Sequence, residues 1–351
     1  MTLDEPGTFA RVDPHDARRV LAAFPEQCRV AVRLRPTPAP SVKTPRLVVV
    51  AGMGGSAAGG DLLAACGADR LDVPVLVHRG YGLPALAGKD ALVVASSYSG
   101  DTAEVLSAVE VALARGVPVV VLTAGGKLAE VALGQKLPHV ALPAGLMPRM
   151  ALGYLFFPTL NILASLGLPV ATEDEIAEAL DTVEALGREL GPERVTAENE
   201  AKRLALAVGP RLPAIYGGPT TGPVAYRWKT DFEENVKAFA LAGALPEMNH
   251  NELEAWRAPG ARGMHIVLLR DREEAPEIER RFAVLRELIA PAADGISESW
   301  TRGSGRLARL LSLTHLGQWV SYYVAVLRGV DPWTVPLLDE LKRRLGSGSE
   351  P

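Results

Sequence analysis

The sequence predicts an α/β protein built on a doubly wound parallel sheet, with the same pattern recurring weakly in its second half. Short apolar, β-branched runs alternate with helix-like stretches, and strands apolar on both faces belong in parallel sheets covered by helices. Two of the runs end in Gly/Ser/Thr-rich turns that open a helix. The order strand, glycine turn, helix, strand then returns after residue 206.

Residues 46–51 (RLVVVA) form the first predicted strand, followed by GMGGS and a small-residue helix over 57–66. Residues 73–78 and 91–96 read as the second and third strands, with a well-patterned helix over 102–115. Residues 117–123 give a fourth strand and 138–143 a short fifth. The stretch 173–206 is charged and helical in period, broken only at Gly191-Pro192, and reads as a connector between two lobes. Residues 212–217 then form a strand and 218–222 a Gly/Thr turn; 223–239 form a helix with proline in its first turn, and 263–270 a further strand. Helices over 306–326 and 335–345 precede a Gly-Ser tail.

Composition bounds the function. Of 351 residues, 48% are hydrophobic and 22% charged, which excludes wholesale disorder. The net charge of −4, from 37 basic and 41 acidic residues, offers no basic footprint for nucleic acid. Cys28 and Cys66 cannot make a disulfide framework or a zinc site alone, and six scattered histidines lack ligand spacing, so no metal is expected. The acidic, proline-broken N-terminus has no signal-peptide core, and the apolar run 152–168 is interrupted by Pro158, Asn161 and two glycines, so neither export nor a membrane span is expected. A soluble, cytoplasmic protein is the expectation.

Two turns have the composition of anion sites. Gly52-Met-Gly-Gly-Ser-Ala57 follows a strand and opens a helix, so backbone N–H groups can close on an anion at the positive helix end. It also fits a dinucleotide fingerprint, but the second strand ends His78-Arg79, with no acid for a ribose hydroxyl. Ser96-Ser-Tyr-Ser-Gly-Asp-Thr102 ends the third strand and offers hydroxyls at Ser97, Ser99 and Thr102 beside a helix start. Neutral hydroxyls plus amides suit a phosphate monoester, although Asp101-Thr-Ala-Glu104 also reads as a capping box. Gly82–Lys89 has one residue too many for a Walker motif and continues with Asp90. Further on, Val224, Trp228, Phe232 and Val236 share one helical face and Glu234 falls opposite, where a solvated carboxylate is the plain alternative to a catalyst. His250, between two asparagines, is open to the same alternative.

Taken together, GMGGS, SSYSGDT, Pro148-Arg149, FEENVK and PEMNHNE resemble the bifunctional phosphoglucose/phosphomannose isomerase family of the SIS (sugar isomerase) superfamily. The motifs keep their order from about residue 46 to 345. The resemblance implies two SIS domains, each a doubly wound parallel sheet flanked by helices. Residues 1–20 would be an N-terminal extension, 21–165 the first SIS domain, 166–206 a helical connector, 207–345 the second SIS domain with the C-terminal helices, and 346–351 a flexible tail. Carried over by motif, Gly54, Gly55, Ser56, Ser97, Ser99 and Thr102 would hold the substrate phosphate. Glu234 would be the base, His250 the ring-opening group, Arg149 the cation beside the charged intermediate, and Lys342 an assistant at the sugar ring. The resemblance further implies a phosphorylated hexose substrate, no cofactor, and a homodimer whose shared active site takes its histidine from the neighbouring subunit. Thr334 could give room for both C2 epimers. Ala57 stands where the family usually has glycine, and Glu233 where asparagine is common, so a second carboxylate would lie beside the base.

Three rivals fit parts of the pattern. A non-catalytic SIS regulator would keep the hydroxyl turn without needing Glu234, His250, Arg149 and Lys342 together. An NAD(P)-dependent oxidoreductase would use the first glycine turn and have no need of the hydroxyls. A glucosamine-6-phosphate synthase would need a glutaminase domain that these residues do not contain.

Overall fold

The structure, a computed structural model, describes residues 2–346. Three short helices come first, α1 (Pro6–Val12), α2 (Ala17–Ala22) and α3 (Phe24–Ala31). They lead into β1 (Leu47–Ala51), α4 (Gly54–Gly67), β2 (Val75–His78), β3 (Ala91–Ser96), α5 (Ala103–Arg115) and β4 (Val119–Thr123). Next come α6 (Gly126–Gly134), β5 (His139–Ala141), α7 (Leu152–Ser165), α8 (Glu173–Leu190) and α9 (Glu200–Val208). The remaining elements are β6 (Leu212–Gly217), α10 (Gly222–Asp231), β7 (Leu241–Ala244), β8 (Met264–Arg270), α11 (Pro276–Ile289), β9 (Ile296–Trp300), α12 (Arg306–Leu327) and α13 (Pro336–Arg344).

The chain divides into two compact units. One holds Glu26–Thr172 and the segment from Val335 onward; its sheet is parallel throughout, in the order β2-β1-β3-β4-β5. Alternate residues explain its layering. Val49, Ala51, Val93, Ala95 and Val121 pack with Val105, Ala108 and Ala112 of α5 and Leu128 of α6 on one face. On the other face a Cβ at Gly60 of α4 would touch Val50 and Val77, at 2.9 and 3.1 Å. A Cβ at Gly59 would lie 3.2 Å from the Leu155 carbonyl oxygen, so the small residues of α4 let α7 approach backbone to backbone.

The second unit holds the N-terminal segment through Pro25 and Glu173–Thr334, with a parallel sheet in the order β7-β6-β8-β9. Its centre is α12, whose residues from Leu307 to Val326 are all buried. This division departs from the expected boundaries. The supposed connector is α8 and α9, and both pack on α12; the Tyr323 hydroxyl donates to the Leu190 carbonyl at 2.6 Å, and Glu178 accepts from the backbone N–H groups of Ser304 and Gly305. The charged residues of α8 mask a buried stripe of Ala179, Leu180, Val183, Leu186 and Leu190. The supposed N-terminal extension is equally bound in: the Tyr322 hydroxyl donates to Asp13 at 3.0 Å, and buried Lys202 donates to the Leu3 carbonyl at 2.7 Å. The segment from Val335, expected with the second domain, groups with the first sheet. Apart from Gly346, the tail expected to be flexible lies outside the described residues.

Besides the short N-terminal helices, α6, α7, β7, α11 and β9 went unread in the sequence. The helix expected over 223–239 also ends early. α10 stops at Asp231, Phe232–Val236 forms a π-helical turn, and Lys237 is left-handed at φ 55°.

Candidate active site

In the first sheet the strand order reverses between β1 and β3, and ligands of open α/β sheets bind outside the carboxyl ends of strands at such a switch point. The two expected anion turns leave those two strand ends. Their hydroxyls tie one turn to the other: Ser96 Oγ donates to the Ser56 carbonyl at 3.0 Å, and the Tyr98 N–H donates to Ser56 Oγ at 3.2 Å. Ser97 Oγ pairs with Thr102 Oγ1 at 2.8 Å and accepts from the Gly100 N–H at 3.1 Å. Ser56 and Ser97 are buried, Thr102 is partly buried and Ser99 is exposed. Gly54 is exposed and left-handed at φ 50°, and Gly55 is buried.

The expected capping box does not form. Thr102, not Asp101, is the N-cap of α5, and its hydroxyl bonds Ser97 instead of capping the first turn. Asp101 accepts from the Lys127 N–H at 3.0 Å and so caps α6, a helix the sequence had not disclosed. Arg149 is 2% exposed, and its backbone lies against the first turn: a Cβ on Gly55 would stand 2.8 Å from the Arg149 nitrogen and Cα. The structure therefore brings Gly54, Gly55, Ser56, Ser97, Ser99, Thr102 and Arg149 into one neighbourhood. Lys342, on α13, is exposed.

Glu234 and His250 belong to the other unit, on either side of β7. Glu234 is partly buried within the π-helical turn, between buried Phe232 and Val236. Such turns occur mostly as single insertions, frequently at functional sites. The turn is anchored at its start by the buried Arg227–Asp231 ion pair at 2.7 Å; loss of one partner there leaves an uncompensated buried charge, worth about 3–5 kcal/mol. Glu233 is not a second bare carboxylate beside Glu234, because Lys229 Nζ contacts both its oxygens, at 2.6 and 2.7 Å.

His250 is exposed on a short 3₁₀ turn, Glu247–His250. The residue that fastens this segment is Glu252, which accepts from the Tyr216 hydroxyl on β6 at 2.5 Å; Trp256 Nε1 donates to the same hydroxyl at 3.2 Å. Burial, reinforced by the Glu252 carboxylate, holds the Tyr216 phenol protonated far above its usual range. Sequence reasoning missed this anchor, as it missed Ser96, because the partners are distant in the chain and no spacing marks them. Two other histidines are unsuited to carrying protons near neutrality: burial pushes His265 and His315 down to about 4, with Arg211 adding to the effect on His265. Thr334 is exposed. Among the described residues there is no group of three or more His, Cys, Asp or Glu placed to hold a metal ion, and no helix is long and apolar enough to cross a membrane.

Residues 197–345 match the family described as the bacterial phospho-glucose isomerase C-terminal SIS domain. A bifunctional phosphoglucose/phosphomannose isomerase of Caldicellulosiruptor bescii is 39% identical over 327 residues, covering 92% of this chain and 96% of that protein. One from Thermoplasma acidophilum is 33% identical, covering 85% and 89%. Among solved structures, a glucose-6-phosphate isomerase like protein from Thermus thermophilus superposes with a TM-score of 0.64 over 96% of this chain and 99% of that one; at 22% identity this supports the fold alone. With relatives this similar over nearly its whole length, the chain belongs to the bifunctional phosphoglucose/phosphomannose isomerase family of SIS-domain enzymes.

Proposed function

We propose that the protein interconverts fructose 6-phosphate with glucose 6-phosphate and mannose 6-phosphate through a cis-enediolate. The observation that carries this reading is the pair of cross-tied hydroxyl turns at the β1/β3 switch point, with the buried Arg149 backbone packed on the first of them. A phosphate dianion seated there meets backbone amides at the starts of α4 and α5, and their positive ends favour it. Ser99, the exposed hydroxyl of the second turn, faces solvent and is available to a ligand. The phosphate is remote from the reacting carbons, so its binding energy serves orientation.

The chemistry needs no cofactor. His250 passes a proton to or from the ring oxygen as the hemiacetal opens, a task for which an imidazole is chemically suited. Glu234 then takes the proton alpha to the carbonyl. From the ketose this is a C1 proton; its return to C2, with the hydroxyl proton passing from O1 to O2, closes the isomerisation. Because C2 is planar in the enediolate, both epimers arise from one intermediate, and the face of reprotonation selects between them. Arg149 stays charged at any working pH and offers forked donors to the enediolate oxygens. Lys342 assists at the sugar ring. We also propose a cytoplasmic homodimer in which His250, exposed on its own chain, serves the site of a second copy.

The direct test is to incubate the purified protein with fructose 6-phosphate and separate the products; glucose 6-phosphate and mannose 6-phosphate should both accumulate. A protein that binds the sugar phosphate without converting it would favour the regulator, and nucleotide binding without conversion the oxidoreductase. Within the active enzyme, Ser99→Ala should raise KM by about tenfold to a hundredfold with kcat little changed, since it removes one hydrogen bond to a charged group, worth about 1.5–3 kcal/mol. An unchanged KM would remove Ser99 from the phosphate site.

A further inference from the structure

We propose that Asn235, Ser321 and Lys237 are positioning residues that hold the π-helical turn presenting Glu234; the inference rests on Glu234 being the base. A regular helix continued through α10 would carry Glu234 on the side opposite Val224, Trp228, Phe232 and Val236. The widened turn over Phe232–Val236 closes with longer i→i+5 bonds, so side chains within it leave the phase of the preceding helix. Glu234 consequently lies partly buried instead of on a solvated helix face. An irregular turn of this kind persists only where its surroundings over-determine it.

Two contacts do so. The buried Asn235 side-chain amide donates to Ser321 Oγ on α12 at 3.0 Å. Ser321 Oγ donates in turn to the Gln318 carbonyl at 3.0 Å, so its one proton is committed and a lone pair is left to receive Asn235. At the other end Lys237 adopts the left-handed conformation, φ 55°, which a residue with a Cβ rarely takes. Its ammonium donates to the Asn235 carbonyl at 3.3 Å and to the Asp331 carbonyl. Both fastenings meet at Asn235, the residue that follows Glu234: its side chain is held to α12, and its carbonyl, through Lys237, to the segment that follows α12. None of these three residues needs to touch substrate; each acts through the carboxylate it helps to aim.

The test uses Ser321→Ala and Lys237→Met in the full-length enzyme, with kcat, KM and the thermal midpoint measured on fructose 6-phosphate. Ser312→Ala, elsewhere on α12, controls for loss of stability alone, since its hydroxyl bonds the Arg302 N–H and the Arg309 carbonyl. Each positioning variant should lose about tenfold in kcat, as small misplacements of a catalytic group do, with KM within about twofold of the parent. Ser312→Ala should keep its kcat even if its midpoint falls. If both positioning variants keep kcat within about twofold while Glu234→Gln collapses, the positioning role is overturned and the base stands. If Glu234→Gln itself turns over normally, the base assignment fails and takes this inference with it.

Discussion

Glu234→Gln is expected to leave the protein folded and able to bind a sugar phosphate, and to lower kcat at least about 10²-fold, the usual scale of general-base catalysis. The substitution keeps size and shape while removing the one property a base needs. Its neighbours cannot stand in. Lys229 holds both oxygens of Glu233, and Asn235 is turned toward Ser321. The flanking Phe232 and Val236 are buried and should hold the turn in either variant. A fall in kcat with little change in KM identifies an interaction made in the transition state, whereas a rise in KM alone would mark Glu234 as a substrate-binding group. Inorganic phosphate, used as a competitive inhibitor, should bind both proteins equally well. Near-normal turnover in the variant would end the case for this base.

The first sheet was largely legible because its strands are buried on both faces. β1, β3 and β4 are runs of four or five apolar residues, β3 closing on Ser96 and β4 on Thr123, as strands buried on both faces of a covered parallel sheet are. β7 was not legible for the converse reason. Leu-Ala-Gly-Ala has weak strand propensity, and it is a strand because β6 supplies its hydrogen-bonding partner. β9 (Ile-Ser-Glu-Ser-Trp) is a polar edge strand of the same kind. The misread connector shows a different limit: the charge that covers one side of α8 says nothing about which body receives the other.

At the candidate site, composition marked the two turns because glycine and hydroxyl residues cluster locally. It did not disclose how they are joined. The link from Ser96 to Ser56 spans forty residues, and the cap that Asp101 provides goes to a helix with few marks of its own. For Glu234 the failure was one of phase. A helical wheel assumes about 100° per residue, and the chain abandons that spacing two residues before the glutamate, where Phe232 begins the wider turn. No residue in Phe-Glu-Glu-Asn-Val announces the change; the cause lies in Ser321 and Asp331, some ninety residues away in sequence.

Gly100→Ala should be the most damaging single change to the two turns proposed to hold the phosphate. Gly100 sits at φ 80°, and a Cβ there would stand 1.8 Å from the Gly125 carbonyl oxygen and 2.9 Å from Thr123 Oγ1. The first obstacle is backbone, so no rotamer change relieves it. Nor can the opposing loop retreat easily. Thr123 Oγ1 donates to the Gly125 carbonyl at 2.8 Å and accepts from its N–H, Gly126 is itself pressed on the Ser99 carbonyl, and the Leu128 N–H donates to the Gly100 carbonyl at 2.9 Å. The left-handed backbone costs about 1–2 kcal/mol and the overpacking about 1–3 kcal/mol or more, so a loss of about 2–5 kcal/mol is expected by denaturant unfolding. KM should rise as well, because the Gly100 N–H orients Ser97 Oγ. Gly54→Ala is the informative comparison: Gly54 is left-handed at φ 50° but has open space where the Cβ would go, so only the backbone cost, about 1–2 kcal/mol, applies. Two variants of equal stability would mean that the loop carrying Gly125 yields, and that it is not locked to the Gly100 turn as their backbone contacts require.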